Sequence, residues 1–119
     1  MGIFFDVLLY EDIGAWIVDS GSSSHMMGMR LVFHNFSKID QNYHVGCGTS
    51  TMHTVKGVGC VRFHQESRGP LEVVEVLFVP ELKVNLLSVS TLENARYGVL
   101  FHRGQVLIYP EGATVLGVR

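Results

Sequence analysis

Cysteine is scarce in this sequence, and neither sign of charge is in large excess. The 119 residues include two cysteines, Cys47 and Cys60, which argues against a disulfide framework and favours a reducing compartment. The formal net charge of −2 gives no electrostatic basis for binding nucleic acid or a membrane surface. We therefore expect neither direct nucleic-acid partners nor membrane partners.

Long hydrophobic runs are also lacking. The apolar opening at residues 1–10 is too short to span a bilayer and lacks the basic start of a signal peptide. Hydrophobic residues nevertheless make up 47% of the chain and charged residues 17%, which is typical of a folded globule. These features predict a cytoplasmic globular protein of one domain.

Short apolar runs separated by glycine-rich or polar breaks dominate the chain. Residues 16–19, 54–64 and 71–79 are predicted strands, and the two glycines Gly57 and Gly59 allow a bend or bulge. The spacing Ser90-Thr91-Leu92-Glu93 resembles a capping box and predicts one short helix, closed by Gly98. Many short strands with one helix predict a small all-β domain, closed or sandwiched.

Asp19 is the candidate functional residue that the sequence singles out most clearly. Ser20 and Ser22 offer hydroxyls that can hold its charge, and Gly21 lets other groups approach closely. A carboxylate fixed in this way is suited to activating water, although an ordinary Asp-Ser-Gly turn between strands fits the same residues. Amide hydrolysis is efficient with two carboxyls sharing a proton, and the sequence has no second Asp-Ser-Gly. Catalysis would therefore require Asp19 of a second chain, across a two-fold axis.

Several motifs, in order along the chain, resemble those of copia-type LTR-retrotransposon proteases. The stretch Asp19-Ser20-Gly21-Ser22-Ser23-Ser24-His25-Met26 is similar to the family's Asp-Ser-Gly-Ala-x-x-His-Met signature. Gly46-x-Gly48 and Val55-Lys56-Gly57-Val58-Gly59 resemble its glycine-patterned middle strands. Val79-Pro80 and Asn85-Leu86-Leu87-Ser88 resemble its valine-proline and asparagine-leucine-leucine-serine block. The resemblance extends from about Trp16 to the end of the chain.

The resemblance implies a retropepsin-like closed β-barrel from a Gag-Pol polyprotein, acting as a homodimeric aspartic endopeptidase on polypeptide substrates. The catalytic residues would be Asp19, Ser20 and Gly21, with the Ser20 hydroxyl bracing the two active-site turns across the dimer axis. The supporting residues would be Ser22, His25, Leu86, Leu87 and Ser88. The mobile flap over the substrate would comprise Gly46, Cys47, Gly48, Thr49 and Ser50. No cofactor and no metal are implied, and a live element would carry the domain in cytoplasmic virus-like particles.

These patterns divide the chain into three expected segments. Residues 1–14 form an N-terminal extension or edge strand, residues 15–109 the β-barrel domain, and residues 110–119 a tail that could begin a pre-integrase region. The sequence departs from the family at Cys47, where asparagine is more usual, and at Ser22, where alanine is usual. The main alternative is a non-catalytic β-barrel module, or an inactive remnant of such a polyprotein.

Two further patterns have weaker functional interpretations. His44, Cys47, Cys60 and His64 have finger-like spacing, but the order of ligand types is scrambled, so strand residues near a turn are favoured over a zinc site. Asp19-Ser20-Gly21-x-x-Ser24 resembles a phosphodegron, but the apolar residues before it indicate a buried setting. His25 lies too close in sequence to Ser20 and Ser22 for a persuasive triad.

Overall fold

The structure, a computed structural model, describes residues 2–4, 16–46, 52–65, 69–102 and 105–112. Eleven strands and one α-helix lie in these residues: β1 Gly2–Phe4, β2 Trp16–Asp19, β3 His25–Met27, β4 Phe33–Lys38, β5 His44–Gly46, β6 Met52–Thr54, β7 Gly57–Gln65, β8 Gly69–Phe78, β9 Asn85–Ser88, α1 Val89–Asn94, β10 Tyr97–His102 and β11 Gln105–Pro110. The predicted all-β fold with one short helix is confirmed. No helix in the described ranges is long and apolar enough to cross a membrane.

Seven of the strands form one sheet, in the order β1-β2-β9-β3-β8-β7-β4. Its centre is mixed: β9 is parallel to β2 and antiparallel to β3, and β3 is parallel to β8. The pairs β5–β6 and β10–β11 form two separate two-stranded sheets. Among the described strands, β1 and β4 end the sheet and do not pair with each other, so closure into a barrel stays a prediction.

Both faces of the central strands are covered by apolar side chains. Val18 and Leu87, which are register partners on β2 and β9, belong to the larger hydrophobic cluster. Leu86 belongs to the smaller cluster on the opposite face, where its register partner Ile17 packs against it. Burying one such side chain contributes roughly 1.5–3 kcal/mol, so the two layers fix β2 and β9 firmly in place.

Helix α1 begins two residues earlier than the capping-box spacing predicts. Ser88 is the N-cap, and its hydroxyl oxygen accepts a hydrogen bond from the Thr91 N–H at 3.1 Å. The prediction that Ser90 caps the helix is therefore wrong, because β9 continues directly into α1 and its last residue supplies the cap. The chain turns at Arg96, which has a left-handed φ of 68°, whereas Gly98 lies inside β10.

A β-bulge interrupts the pairing of β7 and β8 next to Gly59, but its extra residues lie on β8 and not on the glycine-bearing strand for which a bulge was predicted. Gly59 pairs with Val76 and Val61 with Val73, so two residues of β8 stand opposite the single residue Cys60. The extra residues are Val74 and Glu75, and Glu75 adopts a left-handed φ of 57°. Bulges of this kind redirect side chains relative to the regular ladder.

Gly57 allows an aromatic ring to pack directly against the backbone of β7. A Cβ at this position would lie 2.1 Å from Phe36 Cζ and 2.9 Å from the Ser37 carbonyl oxygen. The Phe36 ring is held in place by edge-to-face contacts with Phe33 and Phe78, at centroid distances of 5.4 and 5.8 Å. The ring therefore has little room to move away.

We predict that Gly57→Ala destabilises the fold by about 1–3 kcal/mol, because the added methyl group overpacks the Phe36 contact. The measurement is the midpoint of urea unfolding. Gly46→Ala is the matched control, since a Cβ there meets only Met52 Sδ at 3.5 Å. Equal midpoints for the two variants would contradict the packing argument.

Candidate active site

Asp19 lies at the carboxyl end of β2, beside the residue that ends β9. The two parallel strands pair in the register Ile17↔Leu86, Val18↔Leu87 and Asp19↔Ser88. Because parallel strands end at the same edge of a sheet, the turn after Asp19 and the start of α1 lie next to each other. Leu86 and Leu87 are buried and hold the register beneath Asp19.

The turn after Asp19 orients its carboxylate. The Gly21 N–H donates to Asp19 Oδ1 at 2.8 Å, and the Ser22 N–H donates to the Asp19 carbonyl oxygen at 3.4 Å. A Cβ at Gly21 would lie 3.3 Å from Oδ1, so a side chain there would crowd the carboxylate. Asp19 is partly exposed and Ser20 is exposed, so the oriented carboxylate remains accessible to water. The buried setting expected for this turn is therefore wrong at Ser20 and Gly21, which are both exposed.

Ser88 connects this turn to the helix through its side chain. Its hydroxyl donates to the Ser22 carbonyl oxygen at 2.6 Å and accepts the Thr91 N–H at 3.1 Å. The Thr91 hydroxyl lies 2.9 Å from Ser88 Oγ and 3.1 Å from the Ser23 carbonyl oxygen. Ser88 is completely buried, so these bonds are shielded from competing water.

The backbone of Ser88 also holds His25 in place. The Ser88 N–H donates to His25 Nδ1 at 3.0 Å, and the imidazole is 2% exposed. Burial disfavours the charged ring and lowers the pKa of His25 to about 4. Nδ1 is therefore an unprotonated acceptor near neutral pH. Since Ser22 Oγ donates to the Ser24 carbonyl oxygen at 2.8 Å, neither side chain of a Ser22–His25 pair is arranged for nucleophilic catalysis.

Two residues of this network were not among the sequence candidates. Thr91 bridges the turn and the helix. It could have been identified in the sequence by its position three residues after Ser88, because the N–H at that position bonds to an N-cap side chain. Asn85 is 3% exposed, and its Oδ1 accepts the Gly28 N–H at 3.2 Å, which ties β9 to the end of β3. Asn85 could have been identified in the sequence because it is a polar residue at the start of an apolar strand.

The predicted flap is described only at its base. Strands β5 and β6 are antiparallel, with Gly46 opposite Met52 and Val45 opposite His53. The Val55 N–H donates to the Tyr43 carbonyl oxygen at 2.8 Å and extends this pairing. Cys47, Gly48, Thr49 and Ser50 lie outside the described residues, so their role stays a prediction.

The zinc interpretation is likewise untested at two of its four positions. Cys47 and the side chain of His64 lie outside the described parts of the chain. Within those parts, no group of three His, Cys, Asp or Glu side chains could hold a metal ion. Cys60 is a partly buried free thiol on β7.

Comparison with known proteins places this chain in a family. The family model described as Pol polyprotein, beta-barrel domain matches residues 16–97, which is more than half of the chain. The chain therefore belongs to that family.

A curated relative supports the same assignment. A Saccharomyces cerevisiae protein named "Putative transposon Ty5-1 protein" is 36% identical over 75 residues, which cover 62% of this chain and 47% of the relative. The match thus spans about half the length of that relative. No solved structure matches this chain significantly.

We predict that Ser88→Ala lowers the free energy of unfolding by about 2–3 kcal/mol, because it removes the helix cap and leaves the Ser22 carbonyl oxygen without its donor. Chemical denaturation followed by circular dichroism measures the change. Ser37→Ala is the matched control, at an exposed serine on β4, and should change stability by less than about 0.5 kcal/mol. A similar loss in both variants would contradict the central position of Ser88.

We predict that the fold loses stability as the pH falls from about 6.5 towards 4, by at most about 3 kcal/mol from His25. The sign follows from the lowered pKa: the neutral ring is favoured in the folded state, so its contribution is complete above pH 6.5 and is lost on acidification. The measurement compares urea midpoints of wild type and His25→Asn at several pH values. The comparison isolates the contribution of His25 protonation, because asparagine can still accept the Ser88 N–H. His34→Asn, at an exposed site, should keep the wild-type pH slope; an unchanged slope in His25→Asn would refute the assignment.

Proposed function

We propose that this chain is the aspartic endopeptidase domain of a copia-type retrotransposon Gag-Pol polyprotein, active as a homodimer. Membership of the Pol polyprotein β-barrel family and similarity to a protein named for the transposon Ty5-1 support the polyprotein context. The endopeptidase activity, the dimer and the copia-type assignment rest on the motifs and on the geometry at Asp19.

The observation that carries the proposal is the carboxylate of Asp19. It stands at a strand end, is oriented by the Gly21 N–H at 2.8 Å and remains partly exposed. The turn that holds it is braced from behind by the Ser88 hydroxyl, which donates to the Ser22 carbonyl oxygen. A carboxylate that is fixed in direction but open to water is what general-base activation of a water molecule requires.

The mechanism needs two copies of this turn. With one Asp19 from each chain, two carboxyls close to each other cannot both ionise, so they share a proton. The ionised Asp19 takes a proton from a water between them, and the protonated one donates a hydrogen bond to the peptide carbonyl oxygen as negative charge develops. The pair titrates as a unit, and activity should be favoured under mildly acidic conditions.

The substrate in this proposal is an extended peptide of the polyprotein. It would lie between the floor formed by the Asp19 turns and the flaps at residues 46–50, pairing like an added strand. The Ser20 hydroxyls would brace the two turns across the dimer axis. The proposal also includes a retropepsin-like closed barrel and a location in cytoplasmic particles. It requires no cofactor.

We predict that wild-type protein cleaves a mixed peptide library near pH 5–6 and that Asp19→Asn loses at least about 10³-fold in rate, because the shared proton chemistry needs both carboxyls. Mass spectrometry of the products measures cleavage. Asp40→Asn is the matched control, since that carboxylate is 83% exposed and pairs only loosely with Lys38 at 3.8 Å. The rate should rise more than linearly with protein concentration while the dimer forms.

Absence of cleavage from a folded protein, at concentrations where sedimentation shows a dimer, would refute the enzymatic proposal. The second candidate function is then a non-catalytic module of the polyprotein. One observation favours it: β1 pairs with β2 of its own chain, with Gly2 opposite Asp19. The edge of β2 that β1 occupies is therefore not available for pairing with a second protomer. A folded monomer at every concentration, without cleavage, would support this second function.

A further inference from the structure

A cavity of about 390 Å³ lies between the segment that leaves the Asp19 turn and the base of the β5–β6 hairpin. Its lining combines apolar, hydroxyl, phenol and carboxylate groups, from Val58, Leu77, Ser23, Ser24, Tyr43 and Glu75. Ser23 and Ser24 follow Asp19 by four and five residues, so the Ser23 end of the cavity lies at most about 14 Å from the Asp19 Cα.

Glu75 supplies the negative charge at this cavity. It lies in the β8 bulge opposite Cys60, with a φ of 57° that residues with side chains seldom adopt. The side chain is exposed, and within the described residues it forms no ion pair. Glu72 on the same strand differs, because its Oε2 accepts a bond from Arg62 Nε at 3.1 Å. Glu75 is thus the carboxylate that is available for a ligand.

The remaining lining fits a long cationic side chain. Leu77 is 9% exposed and Val58 is partly buried, so together they give an apolar surface for a methylene stem. Tyr43 is 44% exposed and offers a phenol ring to a cation. A guanidinium or ammonium group lying beyond the stem could then reach the Glu75 carboxylate.

We infer that Glu75 is a specificity-determining residue, which selects a lysine or arginine side chain of the peptide substrate in this cavity. The substrate class rests on the proposed function, whereas the affinity for a basic side chain does not. An extended peptide advances about 3.3 Å per residue, so a separation of at most about 14 Å puts the selected residue within about four positions of the cleaved bond.

The first arm of the test is cleavage of a randomised peptide library by the wild-type chain. Lysine and arginine should be enriched about tenfold over glutamine at one position, within about four residues of the cleaved bond. Glu75→Gln should abolish this enrichment, and Glu75→Lys should shift the preference towards acidic residues. Glu72→Gln is the matched control and should retain the wild-type preference. Cleavage without a basic preference, or a preference that persists in Glu75→Gln, would overturn the inference.

The second arm measures binding without catalysis. Nα-acetyl-arginine methylamide is titrated into ¹⁵N-labelled Asp19→Asn protein, and the amide shifts of Ser23, Ser24 and Tyr43 are followed by NMR. The matched citrulline compound, which lacks the charge, should produce at least fivefold smaller shifts, as should the arginine probe on Asp19→Asn/Glu75→Gln protein. Shifts without any cleavage by wild type would sustain the basic-side-chain site and refute the protease. Equal shifts with both probes would overturn the site, whatever the activity.

Discussion

The pairing of β2 with β9 in parallel, locked by the Ser88 hydroxyl, is the constraint on which the rest of the site depends. The bond from Ser88 Oγ to the Ser22 carbonyl oxygen joins residues 66 positions apart at 2.6 Å. The same oxygen caps α1, and the same residue's N–H is bonded to His25. Four elements, the Asp19 turn, β3, β9 and α1, therefore meet at one buried hydroxyl residue, and the orientation of the Asp19 carboxylate depends on all of them.

His25 makes the junction of these four elements at Ser88 dependent on pH. A buried neutral imidazole that accepts a backbone N–H supports the junction only while Nδ1 is unprotonated. Because burial lowers its pKa to about 4, the junction keeps its hydrogen bonds under the mildly acidic conditions in which a carboxyl dyad would share a proton. Because burial disfavours the charged ring, His25 stays neutral and continues to accept the Ser88 N–H at the pH at which the proposed dyad would share a proton.

The local features of the fold were largely predictable from the sequence, and the places where prediction failed have a physical reason. The strand ending at Asp19 and the long strands β7 and β8 follow from alternation and turn residues, which are properties of adjacent positions. The helix cap was misplaced because Ser88 and Ser90 are equally good N-cap residues, and the choice between them depends on where β9 ends. The end of β9 is fixed by its register with β2, which no local pattern contains.

The sequence by itself determined that the chain folds as an all-β domain and that Asp19 ends a strand before a turn of small residues, because these depend on residue type and spacing. Its ordered motifs also indicated a retrotransposon Pol polyprotein, which the family match and the transposon relative support. Only the tertiary structure decided that Ser88 and His25 brace that turn, that Thr91 and Asn85 complete the network, and that Glu75 lies in a bulge beside the hairpin base. These placements arise from strand register and from burial on both faces of the sheet, which are decided by contacts between residues far apart in the chain.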